Sequence, residues 1–253
     1  MTKKNAAKKG SRKISALLLL LITAIAFAVI FPSFSSADPT GAGITYKTNS
    51  TKNATAATYR NDSKGTITTI VLDAIQQDNK WKAYVGNISS TFTLDDSADY
   101  TIYQWTVDSF TGRVFATRSA TTPTWGNVNC STQTQKETED TTLSHNSTKS
   151  DSINRTFTSR VHKQFYVGGT LIENSSCFSI ATWVSDTTNT LTETTTFQEV
   201  LLHDGTRMIW TTFVEADRQG YRNDSTYDFQ MIVAENGIIA NPNSAYYFYV
   251  ELE

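Results

Sequence analysis

WKAYVGNISSTFTLDDSADYTIYQWTVDSFTGRVFATR, residues Trp81–Arg118, holds four short runs in which apolar and polar side chains alternate. Phe92 and Leu94 fall on one side of their run, Thr91 and Thr93 on the other. Tyr103, Trp105 and Val107 repeat the pattern, as do Val114 and Ala116. A two-residue period rich in aromatic and β-branched side chains marks half-buried antiparallel strands. Asp95-Asp96-Ser97-Ala98-Asp99 and Asp108–Gly112 supply the reversals, because Asp, Ser and Gly tolerate turn backbone. The stretch reads as a β-meander at the heart of an all-β domain.

Further runs of the same kind lie on both sides of it. Downstream they are Gln164–Ile172, where Gly168-Gly169 predicts a bulge or bend, then Ser176–Val184, Tyr227–Ala234 and Tyr246–Leu252. Phe197–His203 and Met208–Val214 flank Asp204-Gly205, the strongest hairpin-turn pair in the chain. Upstream, Gly43–Thr48 and Thr66–Ala74 read as a first pair of strands, the second with Ile70, Leu72 and Ala74 on one face. Ser131–Asn146, STQTQKETEDTTLSHN, has Leu143 as its one apolar residue and reads as a short solvated helix or a surface loop. Roughly ten strands with little helix favour an antiparallel β-sandwich, immunoglobulin-like or jelly-roll-like, with a closed barrel as the alternative.

The chain divides into residues 1–37, 38–75 and 76–253. In the first, Lys3, Lys4, Lys8, Lys9, Arg12 and Lys13 precede an uncharged core of 16 residues, Ala16–Phe31. Pro32 ends it, and Ser35-x-Ala37 matches a signal-peptidase site, so the segment reads as a signal peptide. A retained membrane span and a pilin-type cut after Gly10 are the alternatives. The core is short for the first, and Arg12 and Lys13 argue against the second. Removal leaves 16 basic and 24 acidic residues, a net charge of −8. Without a basic patch, such a chain is not built for nucleic acid, and it meets a membrane only through the signal segment before cleavage. The expected location is extracellular, at the cell surface.

An even pair of cysteines in an exported chain, Cys130 and Cys177, predicts one disulfide. Nine Asn-x-Ser/Thr sequons, at Asn49, Asn53, Asn61, Asn87, Asn129, Asn146, Asn154, Asn174 and Asn223, are candidate N-glycosylation sites. Fifteen Asn and 58 Ser or Thr among the 216 residues after Ala37 would give about four by chance. The five Trp residues invite a sugar-stacking reading. Trp105, Trp183 and Trp210 lie in predicted strands and read as core, leaving Trp125 as the candidate for an exposed role. The acidic clusters Asp95–Asp99 and Asp217–Asp228 lack EF-hand spacing and read as turns. His145, His162 and His203 show no metal-ligand spacing, and no nucleophile–base–acid grouping stands out. The expectation is therefore no catalytic residue, no metal and no cofactor.

A signal segment, a Thr- and Asn-rich chain, dense sequons and the KWKAYVGNISSTFTL–TIYQWTV–GRVFATRS meander together resemble secreted archaeal surface glycoproteins, including thread- and pilus-like subunits. What the resemblance implies is a structural, non-enzymatic role, with an N-terminal extended arm donating a strand to the next copy in a homopolymer. Gly43, Ile44, Thr45, Tyr46, Lys47 and Thr48 are the candidate donor strand. A secreted carbohydrate-binding or adhesin module, with surface glycans as partners, is the alternative.

Overall fold

The computed structural model describes residues 37–106 and 110–253. The signal-peptide reading of 1–37 (apart from Ala37), the Val107 position and the turn at Asp108 lie outside the described residues. Strands are numbered β1–β15 along the chain. The densest apolar alternation forms the middle of a seven-stranded antiparallel sheet. Its path runs from β1 (Thr40–Gly41) to β15 (Tyr247–Leu252), β5 (Gly112–Thr117), β11 (Met208–Phe213), β10 (Gln198–His203) and β6 (Asn129–Cys130). The seventh strand, β9 (Ser179–Ala181), also pairs with β10. β5 and β11 are buried along their whole length. A central strand covered on both faces requires that, and the small sheet edge of a two-layer domain does not.

Alternation divides the core between the two faces. Val114, Ala116, Leu201 and Trp210 point one way, against Met231 and Val233 of a two-stranded sheet. That sheet pairs β2 (Trp81–Gly86) with β14 (Phe229–Ala234). Phe115, Val200, Leu202 and Ile209 point the other way, beneath the hairpin of β7 (Phe165–Val167) and β8 (Thr170–Ile172), a 3-10 turn at Trp125–Asn127 and Cys177. The architecture is all-β and sandwich-like, as the periodicity predicts.

The meander does not form. β2 pairs with β14, and β5 lies between β15 and β11, while β3 (Thr91–Asp95) and β4 (Thr101–Thr106) pair only with each other among the described residues. Alternation identifies strands but not their partners, which long-range packing decides. Gly112 shows how closely β5 and β15 approach, since a Cβ there would lie 2.0 Å from the Glu251 carbonyl oxygen. Gly168-Gly169 is a two-residue hairpin turn, not a bulge, because Val167 pairs directly with Thr170. A positive φ at Gly168 alone of the two fits the first centre of a type II′ turn. Asp204-Gly205 does join β10 to β11, but through four residues, Asp204–Arg207, closed by Asp204 Oδ1 accepting from the amides of Thr206 and Arg207 at 2.9 Å each.

Ser131–Asn146 contains helix α1 (Gln133–Thr142), started by a reciprocal cap between Thr132 and Gln135. It is not wholly solvated. Lys136, Asp140 and Leu143 recur at i, i+4, i+7 and are buried together. The Asp140 carboxylate accepts from the Ile153 and Asn154 amides at the start of the short helix α2 (Ile153–Thr156). The disulfide Cys130–Cys177 is present, with Cα atoms 4.8 Å apart. Between residues 38 and 75 the one strand is β1. Gly43–Thr48 and Thr66–Ala74, expected as strands, have no strand partner among the described residues, and an extended segment becomes a strand only when its backbone groups are paired.

Candidate functional site

The surface that stands apart from the packed domain is built from two neighbouring stretches. The first is residues 43–77, exposed throughout. It is not a free N-terminal tail. β1 holds one end against β15, with Thr40 opposite Val250, and β2 holds the other in a six-residue ladder with β14. The loop includes all six candidate donor residues, Gly43–Thr48, and it exposes Ile44 and Tyr46. The larger apolar group lies farther on, at Ile67, Ile70, Val71, Leu72 and Ile75. Charge is uneven along it. Lys47, Lys52, Arg60 and Lys64 face a single acid, Asp62, between residues 43 and 65, in a chain that is otherwise acidic. The tight turn at Ser63–Thr66, with Gly65 at φ +82°, separates the basic part from the apolar part.

The second stretch is the β3–β4 hairpin. Phe92 lies opposite Trp105 and Leu94 opposite Tyr103, so the four form one apolar face. They are 43%, 48%, 55% and 60% exposed in the order Phe92, Trp105, Leu94, Tyr103. The Tyr103 and Trp105 rings meet edge to face at 4.9 Å, and no other aromatic packs on either among the described residues. At the tip, Asp96 Oδ1 accepts from the amides of Ala98 and Tyr100, and Asp95 accepts from the Thr93 hydroxyl. These bonds hold both carboxyls below their usual range: Thr101 and Thr93 act on Asp95, and the Tyr100 and Ala98 amides on Asp96. Turn chemistry thus accounts for the acidic cluster while leaving its charge outward.

Open sheet edges accompany these elements. The outer edge of β14 is closed by side chains. Thr212 Oγ1 donates to the Gln230 carbonyl, the Ile232 amide donates to Glu199 Oε2, and the Tyr246 hydroxyl donates to the Ala234 carbonyl. Burial drives the Glu199 carboxyl well above its ordinary pKa, with the Ile232 amide only partly offsetting it. The outer edge of β2 pairs with no strand among the described residues, and neither do the outer edges of β3 and β4.

Eight of the nine sequon asparagines are exposed, including Asn87 just past β2 and Asn129 on edge strand β6. Asn154 is the exception. It is half-buried, its Nδ2 donating to the Ser147 carbonyl and its Oδ1 accepting from Gln133. The tryptophans correct the expectation from sequence. Trp210 is core, but Trp105 and Trp183 are half exposed, and Trp125 is only 5% exposed. Trp125 packs on Phe115 at 5.1 Å and Tyr249 at 5.3 Å, so it is no surface platform. The 3-10 turn at Trp125–Asn127 folds the ring back under the sheet.

A polar groove of about 490 Å³ between α1 and the β10–β11 hairpin holds His203 and an Arg118–Glu139 pair. His203 Nδ1 lies 2.9 Å from the Gly205 amide and 3.0 Å from Gln135 Nε2, and burial lowers its pKa. The ring serves the turn rather than a nucleophile. Sequence reasoning missed Lys136. Its Nζ donates to the Phe157 carbonyl at 2.7 Å and stands 3.4 Å from the Phe178 ring centre. Burial, helped by Arg160 and opposed by Asp140 and Glu137, lowers its pKa to about 8. The helical spacing shared with Asp140 and Leu143 is the signal that marks it. Among known protein families, curated proteins and solved structures, nothing matches this chain.

Proposed function

We propose that the chain is a non-catalytic structural subunit of an extracellular filament or surface layer, N-glycosylated, that assembles by strand addition between copies. The observation that carries this reading is the exposed loop 43–77, with Ile67, Ile70, Val71, Leu72 and Ile75 left in solvent. Each such side chain gains about 1.5–3 kcal/mol on burial, so the loop has a strong tendency to find a partner. An extended segment with unpaired backbone groups meets that need most directly by adding to an open edge, which supplies hydrogen bonds and apolar contact together. Exposure of eight sequon asparagines supports a surface carrying glycans.

Negative-stain electron microscopy of the protein from its native producer tests the reading. Filaments or sheets of constant repeat are expected. Replacing residues 43–77 by a Gly/Ser linker should leave a folded, disulfide-bonded monomer. Monodisperse particles from the unaltered protein, or undiminished polymer from the loop variant, would overturn it. An adhesin reading, in which Trp105 and Tyr103 stack on surface sugars, then becomes the one to pursue on a glycan array.

A further inference from the structure

We propose that the strand-accepting element is the β3–β4 hairpin of a second copy, and that residues 66–75, not Gly43–Thr48, supply the added strand. This rests on the assembly reading above and names its contact. Three features of the chain point to it.

The hairpin is incomplete as it stands. A two-stranded ribbon is marginal in water, and three strands with an apolar face are the smallest stable unit. Phe92, Leu94, Tyr103 and Trp105 form such a face, and both outer edges of the hairpin lack a strand partner among the described residues. The loop of the same chain does not cover it, since residues 43–77 are exposed from end to end.

The charges are complementary and fix direction. The tip carries Asp95, Asp96 and Asp99, while the hairpin from Thr91 to Thr106 contains no Lys or Arg. Lys64 lies just before the apolar run of the loop, and Arg60, ion-paired with Asp62 at 2.9 Å, precedes it. Placing these cations at the acidic tip makes 66–75 run from tip to base. That direction is antiparallel to β3, which runs from base to tip. On β4 the same polarity would demand the less stable parallel pairing. β3 is therefore the acceptor.

The register follows from the side-chain pattern. With Ile70 opposite Leu94 and Leu72 opposite Phe92, these four apolar residues share one face. Thr69, Val71 and Asp73 then stand opposite Asp95, Thr93 and Thr91 on the other. A slip by one residue would set Ile70 and Leu72 against the polar face. No Pro or Gly interrupts 66–75, and no sequon lies between Thr91 and Thr106, so no glycan acceptor occupies the hairpin. By contrast, Asn87 places one at the end of the β2 edge.

Engineered disulfides between separate copies read this register. Copies carrying Ile70→Cys are mixed with copies carrying Leu94→Cys under assembly conditions and mildly oxidised. A mixture of Ile75→Cys with Leu94→Cys serves as the off-register control. The expected result is a heterodimer linked 70 to 94, at least about tenfold over the control. In parallel, Phe92→Ser with Leu94→Ser, still melting cooperatively with its native disulfide, should assemble at least about tenfold more weakly. Polymer that forms with no 70–94 preference, or that forms normally from the serine variant, overturns the hairpin contact and leaves the assembly reading intact. No polymer from the unaltered protein overturns both.

Discussion

Reducing the Cys130–Cys177 bond should cost the domain about 4 kcal/mol. The bond ties edge strand β6 to the layer lying over the buried face of the sheet, and the two residues are 47 apart in sequence. Closing a ring of that length removes about 14 cal/mol/K from the unfolded chain, which is about 4 kcal/mol at 25 °C. Cys177 is also fully buried among Val200, Leu202 and Trp125. Substituting both cysteines by Ala therefore adds about 1 kcal/mol of lost packing that simple reduction does not. Equilibrium urea unfolding should separate the two contributions. The reduced protein should lose about 4 kcal/mol and the Cys130→Ala/Cys177→Ala variant about 5. Both should show a steeper dependence on urea, because a chain without its crosslink exposes more surface when unfolded. In a thermal scan the reduced protein should melt roughly 10 °C lower. A loss below about 1 kcal/mol with an unchanged slope would refute the reasoning. It would mean that residues 131–176 stay compact in the unfolded state without the bond.

Other perturbations follow from buried groups. Trp125→Ala should destabilise the fold by about 3–5 kcal/mol, since the ring is packed between Phe115 and Tyr249, and chemical denaturation checks it. Glu235→Gln should cost on the order of 1 kcal/mol at pH 7, after solvent screening of its pair with Lys82. Burial alone would raise this carboxyl, but Lys82 and the Asn236 and Ser244 amides lower it from 4.5 to about 2. The deficit of the variant should therefore shrink as pH falls from about 4.5 to about 2, and a pH-independent deficit would count against it. For Glu199 the sign is opposite. Its folded pKa is raised, so the native state holds the proton more tightly and the unaltered protein weakens as pH rises above the unfolded value. Melting curves of Glu199→Gln across that range should show the variant gaining on the unaltered chain.

Much of the fold can be read in the sequence where local pattern and burial agree. β5, β11 and β14 fall inside runs read as strands, although β5 and β11 are buried on both faces where a period of two predicts one, and Asp204-Gly205 marks the turn where β10 reverses. The pattern fails where partners are distant. β3 and β4 alternate as cleanly as β5, yet Trp105 ends in solvent and Trp210 in the core. Nothing within either run distinguishes them, because the difference lies in which strand pairs alongside. Gly43–Thr48 failed for the same reason: strand character was present but no edge received it. In α1 the charge of the segment masked a helical face, and only the spacing of Lys136, Asp140 and Leu143 carried the information. Of the candidate surface, local pattern pointed only to an extended arm or first strands over residues 38–75; the double anchorage of the loop and the unpacked hairpin depend on long-range pairing that no local pattern carries.

The double anchorage has a mechanical consequence. A load applied near residue 70 meets two attachments of unequal strength. β1 offers two paired residues that peel in turn, whereas β2 is held by six. The ten residues from 71 to 80 reach at most about 35 Å and the 28 from 42 to 69 about 95 Å, so the shorter arm tightens first and the load falls on the six-residue ladder. The basic part of the loop stays slack, and β1 keeps its place on the sheet edge. A thread of such subunits would carry tension through the β2–β14 ladder and keep its length until that ladder gave way.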